Sequence, residues 1–170
     1  MSSKIIPFDR LPEWRAGIRP YTVVVTNGCF DLLHAGHVQF LQSARNLGEV
    51  LLVGINDDAS VQKLKGLNRP IYPEADRLEV IAALECVDAV CLFHGIEATE
   101  FLKAAQPAIW TKGGDYSLND LNQHEKTAVL SGGGSIAVLG LLVGYSTTGT
   151  IKRIALAPPI QTPAPGHHGG

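Results

Sequence analysis

The sequence predicts an α/β protein with a Rossmann-like three-layer fold built on a mainly parallel five-stranded sheet. Short apolar runs rich in Val, Ile and Leu alternate with longer segments of helical periodicity. That alternation is typical of parallel strands that are covered by helices on both faces. A length of 170 residues is enough for one compact domain with a real core. Strands are predicted at residues 21–26, 49–55, 88–93, 107–112 and 135–143.

Six helices are predicted between and after these strands, from apolar residues spaced three or four apart. Another short helix can form over residues 8–18, where Leu11, Trp14 and Ile18 share one side. We expect it to contribute packing rather than chemistry. The six predicted helices cover residues 36–47, 59–64, 74–84, 98–105, 118–130 and 148–155.

The predicted organisation has three parts: an N-terminal arm or short helix (1–20), one folded domain (21–157) and a tail (158–170). The tail reads PPIQTPAPGHHGG and has no periodicity. A segment so rich in Pro and Gly is expected to be flexible.

Composition and charge exclude several classes of protein. Hydrophobic residues make up 45% and charged residues 18% of the chain, which is ordinary for a globular protein. A net charge of -2 provides no field to attract nucleic acid or an anionic membrane, so neither is expected as a partner.

Cysteine usage and the terminal sequence predict a cytoplasmic protein. Cys29, Cys86 and Cys91 are an odd number without metal-binding spacing, and we interpret them as buried thiols in a reducing compartment. The N-terminus has no apolar core of the signal-peptide type, and the later apolar runs are too short to span a bilayer.

The stretch TNGCFDLLHAGHVQFL, residues 26–41, carries the main functional signal. It follows the first predicted strand, where ligands of parallel sheets bind. His34 and His37 are three apart at the start of a predicted helix, whose N-terminus attracts phosphate, and Gly36 allows close approach. A metal-binding pair would need further ligands, as in H-E-x-x-H. Two helix-end or core histidines are the other alternative.

Five collinear segments resemble the HxGH cytidylyltransferase-like family of nucleotidyltransferases. The resemblance runs from about residue 21 to residue 154, and it is strongest to the adenylyltransferase domain of ADP-heptose synthesis, which activates D-glycero-D-manno-heptose 1-phosphate. The segments read GCFDLLHAGHVQFLQSAR, VGINDDASVQKLKG, RPIYPEADRLEVIAALECVDAV, KGGDYS and GYSTTGTIKRI.

The resemblance implies transfer of AMP from ATP to D-glycero-D-manno-heptose 1-phosphate, which gives ADP-heptose and pyrophosphate. Mg²⁺ is the implied cofactor, carried on the triphosphate, and no protein residue is assigned as its ligand. In-line attack needs alignment and charge stabilisation rather than a covalent nucleophile. A homodimer is implied too, and a separate sugar kinase is expected upstream in the pathway.

The same resemblance assigns site residues. His34 and His37 would hold the triphosphate as pyrophosphate leaves, and Lys65 would meet a phosphate unless it is a solvated helix end. The nucleotide-binding candidates are Gly28, Cys29, Phe30, Asp31, Gly36, Lys112, Gly113, Gly114, Asp115, Ser146, Thr147 and Thr148. The substrate-binding candidates are Asn56, Asp58, Lys63 and Arg77.

Several of these assignments keep an alternative. Arg77 can clamp phosphate or be an exposed helix residue. Asp31 can orient His34, bind through magnesium or cap the helix. Residues 112–115 can recognise the ribose or base or form an ordinary turn. Residues 146–148 can contact the β and γ phosphates or simply cap a helix.

The sequence leaves two rival functions open. One is a CTP- or GTP-dependent transferase that acts on another sugar phosphate, a polyol phosphate or a phosphonate; LLVG stands where several related cytidylyltransferases carry an arginine, which disfavours CTP. The other is a non-catalytic, nucleotide-binding regulatory module, which the intact HxGH and STTG segments disfavour. Neither a phosphate loop nor a G-x-G-x-x-G dinucleotide motif is present.

Overall fold

The computed structural model describes residues 2–114, 120–140 and 147–157. It confirms the predicted α/β fold, because five strands form one sheet in which every pair is parallel. The strand order is β3-β2-β1-β4-β5. The strands are β1 (Val23–Gly28), β2 (Val50–Asn56), β3 (Ala89–Phe93), β4 (Ile109–Gly113) and β5 (Ser135–Leu139).

Each predicted helix has a counterpart in the structure. A 3-10 turn (Phe8–Arg10) precedes the first of them. They are α1 (Leu11–Gly17), α2 (Ala35–Arg45), α3 (Asp58–Lys65), α4 (Glu74–Ala82), α5 (Thr99–Ala105), α6 (Gln123–Ser131) and α7 (Thr147–Leu156). The predicted start of α6 at residue 118 is wrong. The side chain of Asn122 accepts hydrogen bonds from the backbone N–H groups of His124 and Glu125, so the helix begins at Gln123.

Two apolar cores cover the two faces of the sheet and make the fold three-layered. On one face Phe101 of α5 and Val129 of α6 pack with Leu11 of α1. On the other face Leu41 of α2 packs with Ile81 of α4. Leu11 is fully buried, so the N-terminal helix contributes to the core, whereas residues 158–170 lie outside the described part of the chain.

The strand order determines where a ligand can bind. The chain passes from β1 to β2 and β3 on one side, and then returns to add β4 and β5 on the other side of β1. Strand order therefore reverses at β1, and the crevice beyond the carboxyl ends of β1 and β4 is the expected ligand site. Among the described residues, no helix has both the length and the apolar character that a bilayer crossing requires.

Candidate active site

A cavity of about 540 Å³ opens beyond the carboxyl ends of β1, β2 and β4, a size that suits a small ligand. The segment between β1 and α2 forms its floor. Many of the residues assigned from the sequence line this one cavity. They are Gly28, Cys29, Phe30, Asp31, His37, Asn56, Lys65, Lys112, Gly113, Thr147 and Thr148.

Six of the other assigned residues are not among those that line the cavity: His34, Gly36, Asp58, Lys63, Arg77 and Gly114. Gly36 is buried in α2, Lys63 is exposed on α3, and Gly114 follows β4 with a positive φ of 143°. Asp115 and Ser146 lie outside the described residues. Several further residues line the cavity but were not predicted from the sequence: Thr26, Asn27, Phe40, Leu64, Arg69, Ile96, Asp120, Leu121, Asn122 and Glu125.

The two histidines occupy different positions at the start of α2. His34 is the N-cap residue, and its ring stacks on the ring of His37 with centroids 3.8 Å apart. The backbone N–H of His34 donates to Nδ1 of His37 at 3.4 Å. Because Nδ1 accepts, a neutral His37 carries its proton on Nε2. The ring that lines the cavity is therefore a hydrogen-bond donor.

Both imidazoles are neutral at pH 7 in the free protein. Burial, together with the adjacent His34, lowers the pKa of His37 to about 4. Burial also lowers the pKa of His34. The ring of Phe30, which is 7% exposed, lies 5.7 Å from that of His37 and adds apolar surface beside it. An anion bound here would favour the charged form of either ring.

Asp31 holds the segment before α4 against the loop that follows β1. Its carboxylate accepts hydrogen bonds from Nε of Arg69 at 2.6 Å and from the backbone N–H groups of Ile71 at 2.8 Å and Tyr72 at 3.1 Å. Burial raises the pKa of Asp31, but these hydrogen bonds outweigh it and lower the pKa. The helix-capping alternative is wrong, because His34 is the N-cap of α2.

Arg77 is buried at 1% exposure, so the alternative of an exposed helix residue is wrong. Its Nη1 donates to the carbonyl of Cys29 at 2.6 Å, and Nη2 donates to the carbonyl of Asn56 at 2.9 Å and to Oδ1 of Asp58 at 2.7 Å. Nε donates to the carbonyl of Tyr72. The guanidinium thus joins the ends of β1 and β2, behind the cavity rather than in it.

Lys112 lies on the opposite side of β1, where Glu125 and Trp110 surround its amino group. Its Nζ lies 3.6 Å from a carboxylate oxygen of Glu125 and 5.0 Å from the ring centroid of Trp110. Burial lowers the pKa of Lys112, and Glu125 opposes that shift. Glu125 is anchored by the backbone N–H of Ala98, and Trp110 donates to Oδ1 of Asn27. A lysine held this way is a fixed cation at the cavity wall.

The first residue of α7 is tied to the loop after β1. The hydroxyl of Thr147 donates to the carbonyl of Leu32 at 3.2 Å. Thr147 and Thr148 line the cavity. A second helix N-terminus therefore lies at the same opening as α2, which favours an anion there.

Comparison with known proteins decides the family. Residues 25–148 match the family model described as Cytidylyltransferase-like. The chain belongs to the cytidylyltransferase-like family. It is a nucleotidyltransferase enzyme by this membership. Its curated relatives include proteins that are each named Bifunctional protein HldE.

The curated relatives are longer than this chain. The protein from Halorhodospira halophila is 51% identical over 132 residues, which cover 78% of this chain and 27% of the relative. The protein from Geobacter sulfurreducens is 43% identical over 135 residues, covering 79% and 27%. The chain thus spans about a quarter of the length of these relatives.

Solved structures show the same fold. The lipopolysaccharide core biosynthesis protein from Thermoplasma volcanium superposes with a TM-score of 0.59 at 26% identity, covering 72% of this chain and 97% of that one. Pantoate-beta-alanine ligase from Francisella tularensis gives a TM-score of 0.54 at 13% identity, covering 87% and 70%. The second likeness concerns the fold alone.

In this cytidylyltransferase-like enzyme, we expect Cys29→Ser to retain most of its activity. Burial raises the pKa of the Cys29 thiol, so little thiolate forms, and the interaction with Arg77 uses the backbone carbonyl. Steady-state kcat and KM of Cys29→Ser, with Cys86→Ser as a matched half-buried control, test this. Lost turnover with normal melting, or a nucleotide covalently attached to Cys29, would contradict it.

Proposed function

We propose that this domain transfers AMP from ATP to D-glycero-D-manno-heptose 1-phosphate and releases pyrophosphate. The observation that carries the proposal is the convergence of the starts of α2 and α7, His37 and the cation Lys65 on one cavity at the point where strand order reverses. The HldE relatives and the lipopolysaccharide core biosynthesis structure support a sugar phosphate as acceptor.

In this proposal the triphosphate lies along the starts of α2 and α7. The Nε2–H of His37 donates to a phosphate oxygen, and His34 supports that ring by stacking on it. An oxygen of the acceptor phosphate attacks the α-phosphorus, while the bond to pyrophosphate breaks on the opposite side. Donors fixed in advance stabilise the charge that develops on the leaving group.

Magnesium would be held mainly by the triphosphate rather than by a protein cage. The described residues contain no group of three or more His, Cys, Asp or Glu side chains that could hold a metal. The carboxylate of Asp31 is already engaged by three donors. An ion carried by the substrate phosphates and water would neutralise phosphate charge there.

We also propose that the protein acts in the cytoplasm as a homodimer and that a sugar kinase supplies its acceptor. The kinase is proposed on chemical grounds, because a sugar 1-phosphate must be made by phosphoryl transfer or an equivalent reaction. Sedimentation velocity at several protein concentrations tests the dimer.

Pyrophosphate release over a matrix of donors and acceptors tests the function. ATP, CTP and GTP are each paired with heptose 1-phosphate, another hexose 1-phosphate and a polyol phosphate. We expect ATP with heptose 1-phosphate to give a kcat/KM at least about 10²-fold above the other pairs, the discrimination that a polar pocket readily achieves. A preference for CTP or GTP would refute the donor, and nucleotide binding without turnover would favour the regulatory module.

A further inference from the structure

Arg69, the first residue of the segment RPIYPEADRLEVIAALECVDAV, is fixed at the edge of the cavity, although no role of its own was predicted for it from the sequence. Its Nε donates to Asp31 at 2.6 Å, and its side chain is 14% exposed against 1% for that of Asp31. Asp31 is itself fixed by the backbone N–H groups of Ile71 and Tyr72. The plane of the guanidinium is therefore set before any ligand arrives.

Within the part of the chain that the structure describes, the two Nη groups of Arg69 make no hydrogen bond to protein. Arginine carries five N–H donors, and within the described residues only Nε of Arg69 makes a side-chain hydrogen bond to protein. The two Nη groups hold the other four donors, and Arg69 lines the cavity. A planar fork of this kind matches the oxygens of a phosphate.

The surroundings of Arg69 add positive charge. Lys65 lines the same cavity and makes no ion pair within the described part of the chain. Burial raises the pKa of the nearby Cys29 thiol, while Lys65, Arg77 and Arg69 all lower it. Arg77 is paired with Asp58 and Arg69 with Asp31. Among the described residues that line this side of the cavity, Asp31 offsets the charge of Arg69, and Lys65 adds one positive charge.

Topology separates this side from the nucleotide side. Arg69 and Lys65 follow β2, and the same wall is completed by Asn56, the last residue of β2, and by Ile96, which follows β3. Lys112 and Gly113 belong to β4, on the other side of β1. A donor nucleotide that contacts β4, α2 and α7 would leave the wall formed by β2 and β3 for the second substrate.

We propose that the Nη groups of Arg69, assisted by Lys65, bind the phosphate of the acceptor. The proposal rests on the proposed function and adds the residue that positions the nucleophile. A bond forms between an oxygen of the acceptor phosphate and the α-phosphorus, and the bond from the α-phosphorus to the bridging oxygen breaks. The electron pair leaves with pyrophosphate. An ionised phosphate needs no protein base, so a cationic fork is sufficient.

The test separates acceptor binding from nucleotide binding. Arg69→Gln loses the charged fork, and we expect the KM for the acceptor to rise about 10- to 100-fold, the range for hydrogen bonds to a charged group. The Kd for ATP should stay within about twofold of the wild-type value, because ATP does not use the contact that the substitution removes. Arg69→Lys keeps the positive charge but not the planar pair of donors, so its acceptor KM should lie between those of wild type and Arg69→Gln. Arg10→Gln, an exposed arginine paired with Glu13, is the surface control.

A second measurement does not depend on turnover. Inorganic phosphate is titrated by calorimetry into protein saturated with a non-hydrolysable ATP analogue, and Arg69→Gln and Arg69→Lys should bind it more weakly than wild type. If the acceptor preferred in the matrix is not the heptose phosphate, the proposed function fails and the Arg69 test is run with the preferred acceptor. An unchanged acceptor KM with unchanged phosphate binding would overturn the proposal. So would equal losses of ATP and acceptor binding with a lowered Tm, the result expected of a purely structural latch.

Discussion

Replacing either His34 or His37 by alanine is expected to lower kcat about 10²- to 10³-fold and to change the nucleotide KM far less. Contacts that strengthen as charge develops on the leaving pyrophosphate act on the barrier rather than on ground-state binding. Removal of one such donor typically costs about 3 to 4 kcal/mol. His37 lines the cavity, and His34 holds its ring through stacking and through the backbone N–H that donates to Nδ1.

Three measurements separate this role from its alternatives. A core histidine would lower Tm and leave the folded fraction active, whereas a phosphate ligand lowers kcat in a folded protein. A zinc pair would give stoichiometric zinc in purified protein and turnover that chelation abolishes even with excess magnesium. Near-wild-type kcat in both folded variants would refute the phosphate role.

The lowered pKa of His37 also predicts that the free energy of unfolding of the free protein decreases at acidic pH. The unfolded ring titrates near its ordinary value of about 6.5, and the folded ring only near pH 4. The unfolded state therefore binds more protons between these values, so stability falls as pH drops from 6.5 to 4. Urea unfolding at several pH values should show a shallower fall for His37→Ala. An unchanged slope would contradict a neutral, buried His37.

The fold was predictable from the sequence because its signals are local. Buried parallel strands are continuous apolar runs, and each such run in the sequence is a strand of the sheet. The start of α6 was not predictable from periodicity. It depends on the side chain of Asn122, which folds back onto two backbone N–H groups, and an apolar pattern does not register a cap.

The candidate site was predictable only where its residues belong to contiguous motifs. The segment around His37 and the start of α7 could be placed, since each follows or precedes a predicted element. Asp31 was assigned to the site, but its partner Arg69 was not, although Arg69 begins one of the resembling segments, because the hydrogen bond joins positions 38 apart in the chain. Glu125 was not predicted for a similar reason, because its ion pair with Lys112 depends on where α6 begins. Sequence patterns do not encode such long-range pairs.

Arg77→Met is expected to lower both the stability and the activity of the enzyme. The substitution keeps the apolar stem but leaves the carboxylate of Asp58 and the carbonyls of Cys29, Asn56 and Tyr72 without their shared donor. Asp58 is about one-third exposed, so most of the cost comes from the carbonyls that lose their donor, about 3 to 5 kcal/mol in total at about 1 to 3 kcal/mol for each group. The free energy of unfolding in urea should fall by that amount. Arg45→Met is the control, since its pair with Asp88 is about one-third exposed on both sides and should cost about 1 kcal/mol or less.

Stability alone does not establish that Arg77 positions the site, so activity is measured well below the Tm of each variant. The carbonyls of Cys29 and Asn56 belong to segments that line the cavity, and their release should displace His37 and the acceptor wall together. Misplacement by about 1 Å can cost about 10²-fold in rate, so kcat of folded Arg77→Met should fall by a comparable factor. Arg77→Lys supplies a point charge to one or two of the four acceptors and should recover part of both losses. A folded Arg77→Met with wild-type kcat would show that the guanidinium stabilises the fold without positioning the site. A loss confined to the acceptor KM, with normal stability, would instead favour the phosphate clamp that the sequence first suggested.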